Sequence, residues 1–254
     1  MPIVLQAGLW GLLGGSALVL GAAAAYLVRL PQRLVAAVMA FGAGVLISAL
    51  SFDLMDEAFR TGGFAAAGLG FLAGAAVYTL ANLWLSRRGA RHRKDSGRRQ
   101  ARDQDAHGEE QSGQAIALGA LLDGVPESVV IGVSLLGGQG VSVVAVAAVF
   151  LSNVPEGLAS VAGMRKAGRS PRFIFGVWCG IALASGAAAA LGALLLHDAS
   201  AGVIAFINAL AAGDILAMLA DTMIPEAFKT VRDYAGLITV AGFLTAFALS
   251  KLAR

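Results

Sequence analysis

Eight apolar runs, each about 18 residues or longer, dominate this chain of 254 residues. They lie near 3–28, 34–56, 62–86, 114–136, 139–163, 173–196, 201–224 and 235–252. About 20 apolar residues in a helix cross the roughly 30 Å hydrocarbon core of a bilayer, and a helix satisfies its own backbone hydrogen bonds there. The runs therefore predict an all-α polytopic membrane protein with eight transmembrane helices. Composition agrees, with 57% hydrophobic and only 14% charged residues, where soluble domains carry about 25% charged. The 33 glycines suit helices that approach closely in lipid. The first run follows Met1 with no basic segment ahead of it, so no cleavable signal peptide is expected. Cys179 is the single cysteine and carries no information on redox compartment.

Charge placement orients the spans. The connections at 29–33, 87–113, 164–172 and 225–234 hold 16 of the 19 Lys and Arg, and all four fall on one side if every run crosses. Only Arg60, Lys251 and Arg254 fall on the other. The positive-inside rule then places these connections in the cytoplasm and both termini outside, as expected of a plasma-membrane protein of the bacterial inner-membrane type. The pI near 9.4 is thus a topology signal and not a nucleic-acid footprint. The segment 87–113 is polar, charge-rich and without apolar periodicity, and reads as a disordered cytoplasmic linker. Its His92 and His107 are 15 apart and read as solvated loop residues. The expected organisation is spans one to three over 1–86, the linker over 87–113, a central pair over 114–163, and spans six to eight over 164–254.

The segments 40–60 and 209–229 align with an offset of 169 residues, matching Ala40, Ala43, Gly44, Leu50, Glu57, Ala58 and Phe59, with Arg60 meeting Lys229. The second and seventh spans run in opposite directions, which is the signature of an inverted repeat. The fourth and fifth spans are likewise antiparallel and share Val-Pro-Glu, at 125–127 and 154–156. A 3+2+3 inverted-repeat arrangement follows, with a substrate site expected at its central pair.

That pair holds DGVPES at 123–128 and SNVPEG at 152–157. Asp123 and Glu127 share a helix face, as do Ser152 and Glu156. A carboxylate near the bilayer centre costs roughly 2.5–3.5 kcal/mol on insertion scales, so three of them mark a functional site. Pro126 and Pro155 free the carbonyls of Leu122 and Leu151 inside the helices. At about 1.5 Å per residue, Asp123 and Glu156 share one depth, while Glu127 lies nearer Ser152 and Asn153. No Lys or Arg in these spans balances the acids, and a divalent cation would. The expected metal ligands are Asp123, Glu127 and Glu156 with Ser152 and Asn153. Asp53 reads as an outer vestibule group, and Asp221 and Glu226 as inner exit groups, with water-facing acids at helix ends as the alternative for each.

These motifs resemble those of the ZIP (Zrt/Irt-like) family of divalent-metal transporters, whose fourth span carries an HNxPEG-like motif and whose fifth carries an H/Q-x-x-PEG-like motif. The family's seventh-span motif is met by Asp221, Thr222 and the run Met223-Ile224-Pro225-Glu226. The resemblance covers essentially the whole chain. It implies first-site metal ligands at Asp123, Glu127, Ser152, Asn153 and Glu156, a cargo of Zn²⁺ or Fe²⁺, and a homodimer. The sequence departs from the pattern at Asp123, where the motif has histidine, and at Gly124, where it has asparagine. The sixth span holds no carboxylate, which puts a second metal in doubt, and the loop lacks a histidine cluster. An oxygen-only ligand set shifts preference toward Mn²⁺, Fe²⁺ or Mg²⁺ relative to Zn²⁺. The expected protein is a transporter and not an enzyme, working by alternating access with no resident cofactor and no nucleic-acid partner. Two rivals remain. One is a non-transporting intramembrane metal sensor or scaffold. The other is a GxGD-type intramembrane aspartyl protease using Asp214 and Asp123, which would leave Glu127 and Glu156 without a role.

Overall fold

The computed structural model describes residues 1–28, 30–87, 109–137, 141, 143–166 and 168–252, and every regular element among them is helical. In chain order these are α1 (Ile3–Leu27), α2 (Gln32–Ala49), α3 (Asp56–Leu85), α4 (Glu109–Ser134), α5 (Val143–Lys166), α6 (Pro171–Leu195), α7 (Ala201–Met218), α8 (Ile224–Val231) and α9 (Ala235–Leu252). Wide π-helical turns at Leu50–Met55 and Leu219–Met223 join α2 to α3 and α7 to α8.

Four helical stretches among the described residues are long and apolar enough to cross a membrane: Ile3–Leu27, Gln32–Leu85, Pro171–Leu195 and Ala201–Leu252. Two of them, at 54 and 52 residues, far exceed the roughly 20 residues that one crossing needs. Both are interrupted. Gly63 breaks the first, at φ 73° and ψ −179°, a conformation glycine adopts without a Cβ clash. Arg232 breaks the second, at φ 47°.

The fourth-span helix begins earlier than its apolar run suggested, with α4 starting at Glu109, inside the segment read as linker. Positions 88–108, with His92 and His107, lie outside the described residues.

Packing sorts the helices into two sets. Helix α1 packs along α5 and α6 and touches α4, which itself packs on α6. In the other set α3 packs along α7, α2 along α9, and α8 against α2. The sets meet where α2 lies on α5 and α4 on α7. Helices α4 and α5 touch each other only sparsely, because α1 is wedged between them. A methyl on Gly14 of α1 would lie 3.3 Å from Ile131 of α4 and equally 3.3 Å from Val149 of α5.

In the second set two helix crossings bring backbone onto backbone. A Cβ on Gly44 would strike the carbonyl of Thr239, and one on Gly242 the carbonyl of Phe41. At the α3–α7 crossing the same holds for Gly213 against Phe71 and Gly74 against Leu210. Without a hydrophobic drive between helices in lipid, such contact supplies the dispersion energy that holds them together. Gly213 and Leu210 lie 169 residues after Gly44 and Phe41. Leu219, which opens the second π-turn, lies 169 after Leu50, which opens the first.

Candidate metal centre

Each central helix carries its proline inside, Pro126 in α4 and Pro155 in α5. The ring of Pro155 projects toward α2, where a Cβ on Gly42 would lie 2.9 Å from its Cγ. Glycine at 42 is what lets the kinked helix sit against α2.

All five expected ligands are buried: Asp123, Glu127, Ser152, Asn153 and Glu156 are each 7% exposed or less. Among the described residues, no three Asp, Glu, His or Cys side chains gather closely enough to hold a metal ion. Helix α1 forms a wedge that packs on both central helices. Asn153 is tied to that wedge, its Nδ2 donating to the Gly14 carbonyl at 3.0 Å. One turn further on, a Cβ on Gly157 would strike the Leu18 carbonyl of α1. Ser152 Oγ donates to its own helix, to the Val149 carbonyl at 2.9 Å. Ser128 Oγ does the same toward Gly124, at 2.7 Å.

Glu127 and Asp53 both line one small cavity of about 20 Å³, walled otherwise by apolar side chains such as Ala49, Ala148 and Ile215. The walls come from α2 with its π-turn, α4, α5 and α7, so the cavity lies on the seam between the two helix sets. Asp53 accepts a hydrogen bond from Ser250 Oγ of α9 at 3.0 Å, which fixes one carboxylate oxygen. The two residues come from opposite sides of the seam, and the surface they and their neighbours present to the cavity is almost wholly apolar.

The inner exit groups occupy different environments. Asp221 lies on the second π-turn and is exposed, and neighbouring Thr222 Oγ1 donates to the Met218 carbonyl at 2.7 Å. Glu226 is 9% exposed and pairs with Lys229. Asp214, the residue the protease reading requires, is buried in α7 where that helix crosses α3, its backbone nitrogen lying against Gly74.

Three contributors have no local sequence signal. Ser250 reaches Asp53 across 197 residues. Gly42 receives Pro155 from 113 positions away. Ser185 of α6 faces Gly124, its Oγ 3.6 Å from where a Cβ at 124 would sit, beside Ile181 at 4.0 Å. Those are ordinary van der Waals distances, so Gly124→Ala is expected to fold as the wild type does. Replacing glycine with alanine inside a helix adds up to about 1 kcal/mol of propensity. Thermal unfolding in detergent should therefore show an unchanged or slightly raised midpoint, and a drop of several degrees would mean that α4 and α6 lie closer than described.

No protein-family model matches the chain, and no curated protein matches it.

Proposed function

We propose that this chain is a transporter of the ZIP type, carrying a divalent cation, Zn²⁺, Fe²⁺ or Mn²⁺, across the plasma membrane into the cytoplasm by alternating access. The observation that carries this reading is the pair Asp53 and Glu127, two carboxylates from opposite helix sets sharing one cavity on their seam. Buried acids in an apolar helical body are costly unless they serve a pathway. A seam is where relative movement of two bodies opens a site first to one side and then to the other.

The breaks at Gly63 and Arg232 support reading each long stretch as two crossings, which with α1, α4, α5 and α6 makes eight. The paired π-turns and paired glycine crossings, repeated at an offset of 169, support the inverted repeat over the outer spans. With the basic connections inside, Asp53 opens toward the outer face, and Asp221 and Glu226 line the way to the cytoplasm. A metal ion approaching from outside meets Asp53 first, held ready by Ser250. It then reaches Glu127 across the cavity, and rearrangement of the first helix set brings Asp123 and Glu156 to it. Proton release from these acids accompanies binding, since a metal takes the carboxylate and not the carboxylic acid. An oxygen ligand set favours Mn²⁺ and Fe²⁺ over Zn²⁺.

The deciding experiment is uptake of Zn²⁺, Mn²⁺, Fe²⁺, Cd²⁺ and Mg²⁺ into proteoliposomes. Saturable uptake of one or a few of these ions, diminished in Glu156→Ala, is the expected result. Uptake equal to protein-free vesicles for all five ions, with metal still bound by the protein, would discard transport in favour of an intramembrane sensor.

A further inference from the structure

The two mouths of the pathway each carry an acid followed by a basic residue, but only one of these pairs is seated. At the inner end, Lys229 Nζ donates to Glu226 Oε2 at 2.8 Å. The matched outer residues are Glu57 and Arg60, by the same 169-residue offset. There Arg60 reaches back to Asp56 at 3.9 Å, with its own side chain 72% exposed. The inner pair differs in burial as well as in distance. Glu226 is 9% exposed and its neighbour Ala227 is 1% exposed, while the Lys229 side chain is 43% exposed. The lysine stem thus lies partly in water and delivers its charge onto a carboxylate that is nearly enclosed.

A helix-surface pair three residues apart usually contributes only about 0.2–0.5 kcal/mol, so stability gives little reason for a lysine here. Chemistry gives a better one. An ammonium on a flexible four-carbon stem is a mobile point charge, unlike the planar fork of arginine, which holds a carboxylate by two bonds. It leaves and returns without leaving the helix. Glu226 lies in the first turn of α8, directly after the second π-turn that carries Asp221.

We infer that Lys229 is a tethered cation that occupies Glu226 at the inner mouth, so that a divalent ion must displace it to use that carboxylate. The inference rests on the transport reading for its direction. A cation leaving the seam exchanges with the ammonium, and the ammonium closes behind it. Metal already in the cytoplasm meets a neutralised carboxylate and rebinds weakly. At the outer mouth Arg60 is shared between Asp56, at 3.9 Å, and the field of Glu57, a looser arrangement than the seated inner pair, so the asymmetry favours inward release.

The test uses Mn²⁺ as probe and the full-length protein in detergent, counting bound Mn²⁺ by electron paramagnetic resonance. Lys229→Gln should strengthen Mn²⁺ binding at one site by about tenfold, the scale of a charge a few ångströms away when water screens it. Adding Glu226→Gln should erase that gain, and Lys229→Arg, whose planar fork holds the carboxylate more firmly, should bind Mn²⁺ more weakly than wild type. In proteoliposomes preloaded with Mn²⁺, inhibition of uptake by lumenal Mn²⁺ should set in at lower concentration for Lys229→Gln. Binding in Lys229→Gln equal to wild type would overturn the inference, as would a gain that survives the Glu226 substitution. The binding arm is independent of flux. If no variant transports yet the gain appears and depends on Glu226, the displaced-cation site stands and the transport reading fails.

Discussion

Glu127→Gln is expected to abolish saturable divalent-cation uptake while leaving the protein folded. The side chain is 4% exposed and lines the seam cavity with Asp53, so the substitution keeps shape, removes the charge and turns one acceptor oxygen into an amide donor. Removing one partner of a buried charge pair typically costs about 3–5 kcal/mol, which corresponds to at least a hundredfold in affinity. A divalent ion held by few ligands has little to compensate that loss. Elution on size exclusion should match wild type, because glutamine relieves a buried carboxylate instead of creating one. Asp53→Asn should have a smaller effect, since Ser250 already satisfies one oxygen of that group. Wild-type uptake kinetics in Glu127→Gln would remove the seam cavity from the pathway altogether.

Gly213→Leu should prevent a stable fold, and Gly213→Ala should lower stability by about 1–3 kcal/mol, the usual range for overpacking. Even one methyl at 213 falls on the Phe71 carbonyl, so α3 and α7 must separate to admit it. Gly44→Ala should behave the same way against Thr239, because it occupies the corresponding place in the α2–α9 crossing. The double variant Gly44→Ala/Gly242→Ala offers a sharper check. Both methyls demand the same separation of one helix pair, so their effects should sum to less than the two singles. Thermal midpoints in detergent measure all of these. Strict additivity would mean that the two glycines relieve independent clashes and that the crossing is not a single unit.

Much of this architecture was legible from apolar runs and spacing, because helices in lipid satisfy their backbones locally. The burial of Asp123, Glu127, Ser152, Asn153 and Glu156 follows the same logic, since each lies mid-run. The offset of 169 between residues 40–60 and 209–229 reappears in structure as matched π-turns and glycine crossings, which no local propensity encodes. What sequence could not supply is lateral order. Convergence of the α4 and α5 acids on one cation depends on how those helices lie side by side, and spacing does not report that α1 packs on both, with Asn153 on Gly14. The pairing of Asp53 with Glu127 is equally non-local, joining helices that the chain separates by the whole 87–113 segment. Spacing reports which residues share a face of one helix, and it is silent on which face another helix covers.

The π-turn at Leu50–Met55 has a consequence for register. A π-turn adds about one residue to the regular helical count, and one residue is about 100° of rotation about the axis. Side chains beyond Met55 therefore point about a quarter turn away from where an uninterrupted α2 would have aimed them. Upstream of the turn the stretch offers Gly42 to α5 and Gly44 to α9, and downstream, before the break at Gly63, it offers Gly62 to α7. The segment up to that break is thereby indexed to two sets of neighbours. Asp53 sits on the extra residue's turn of chain, so its aim into the cavity depends on chain length there as much as on its own identity. A single-residue deletion between 50 and 55 would leave every side chain of the site present and the outer acid facing the wrong way.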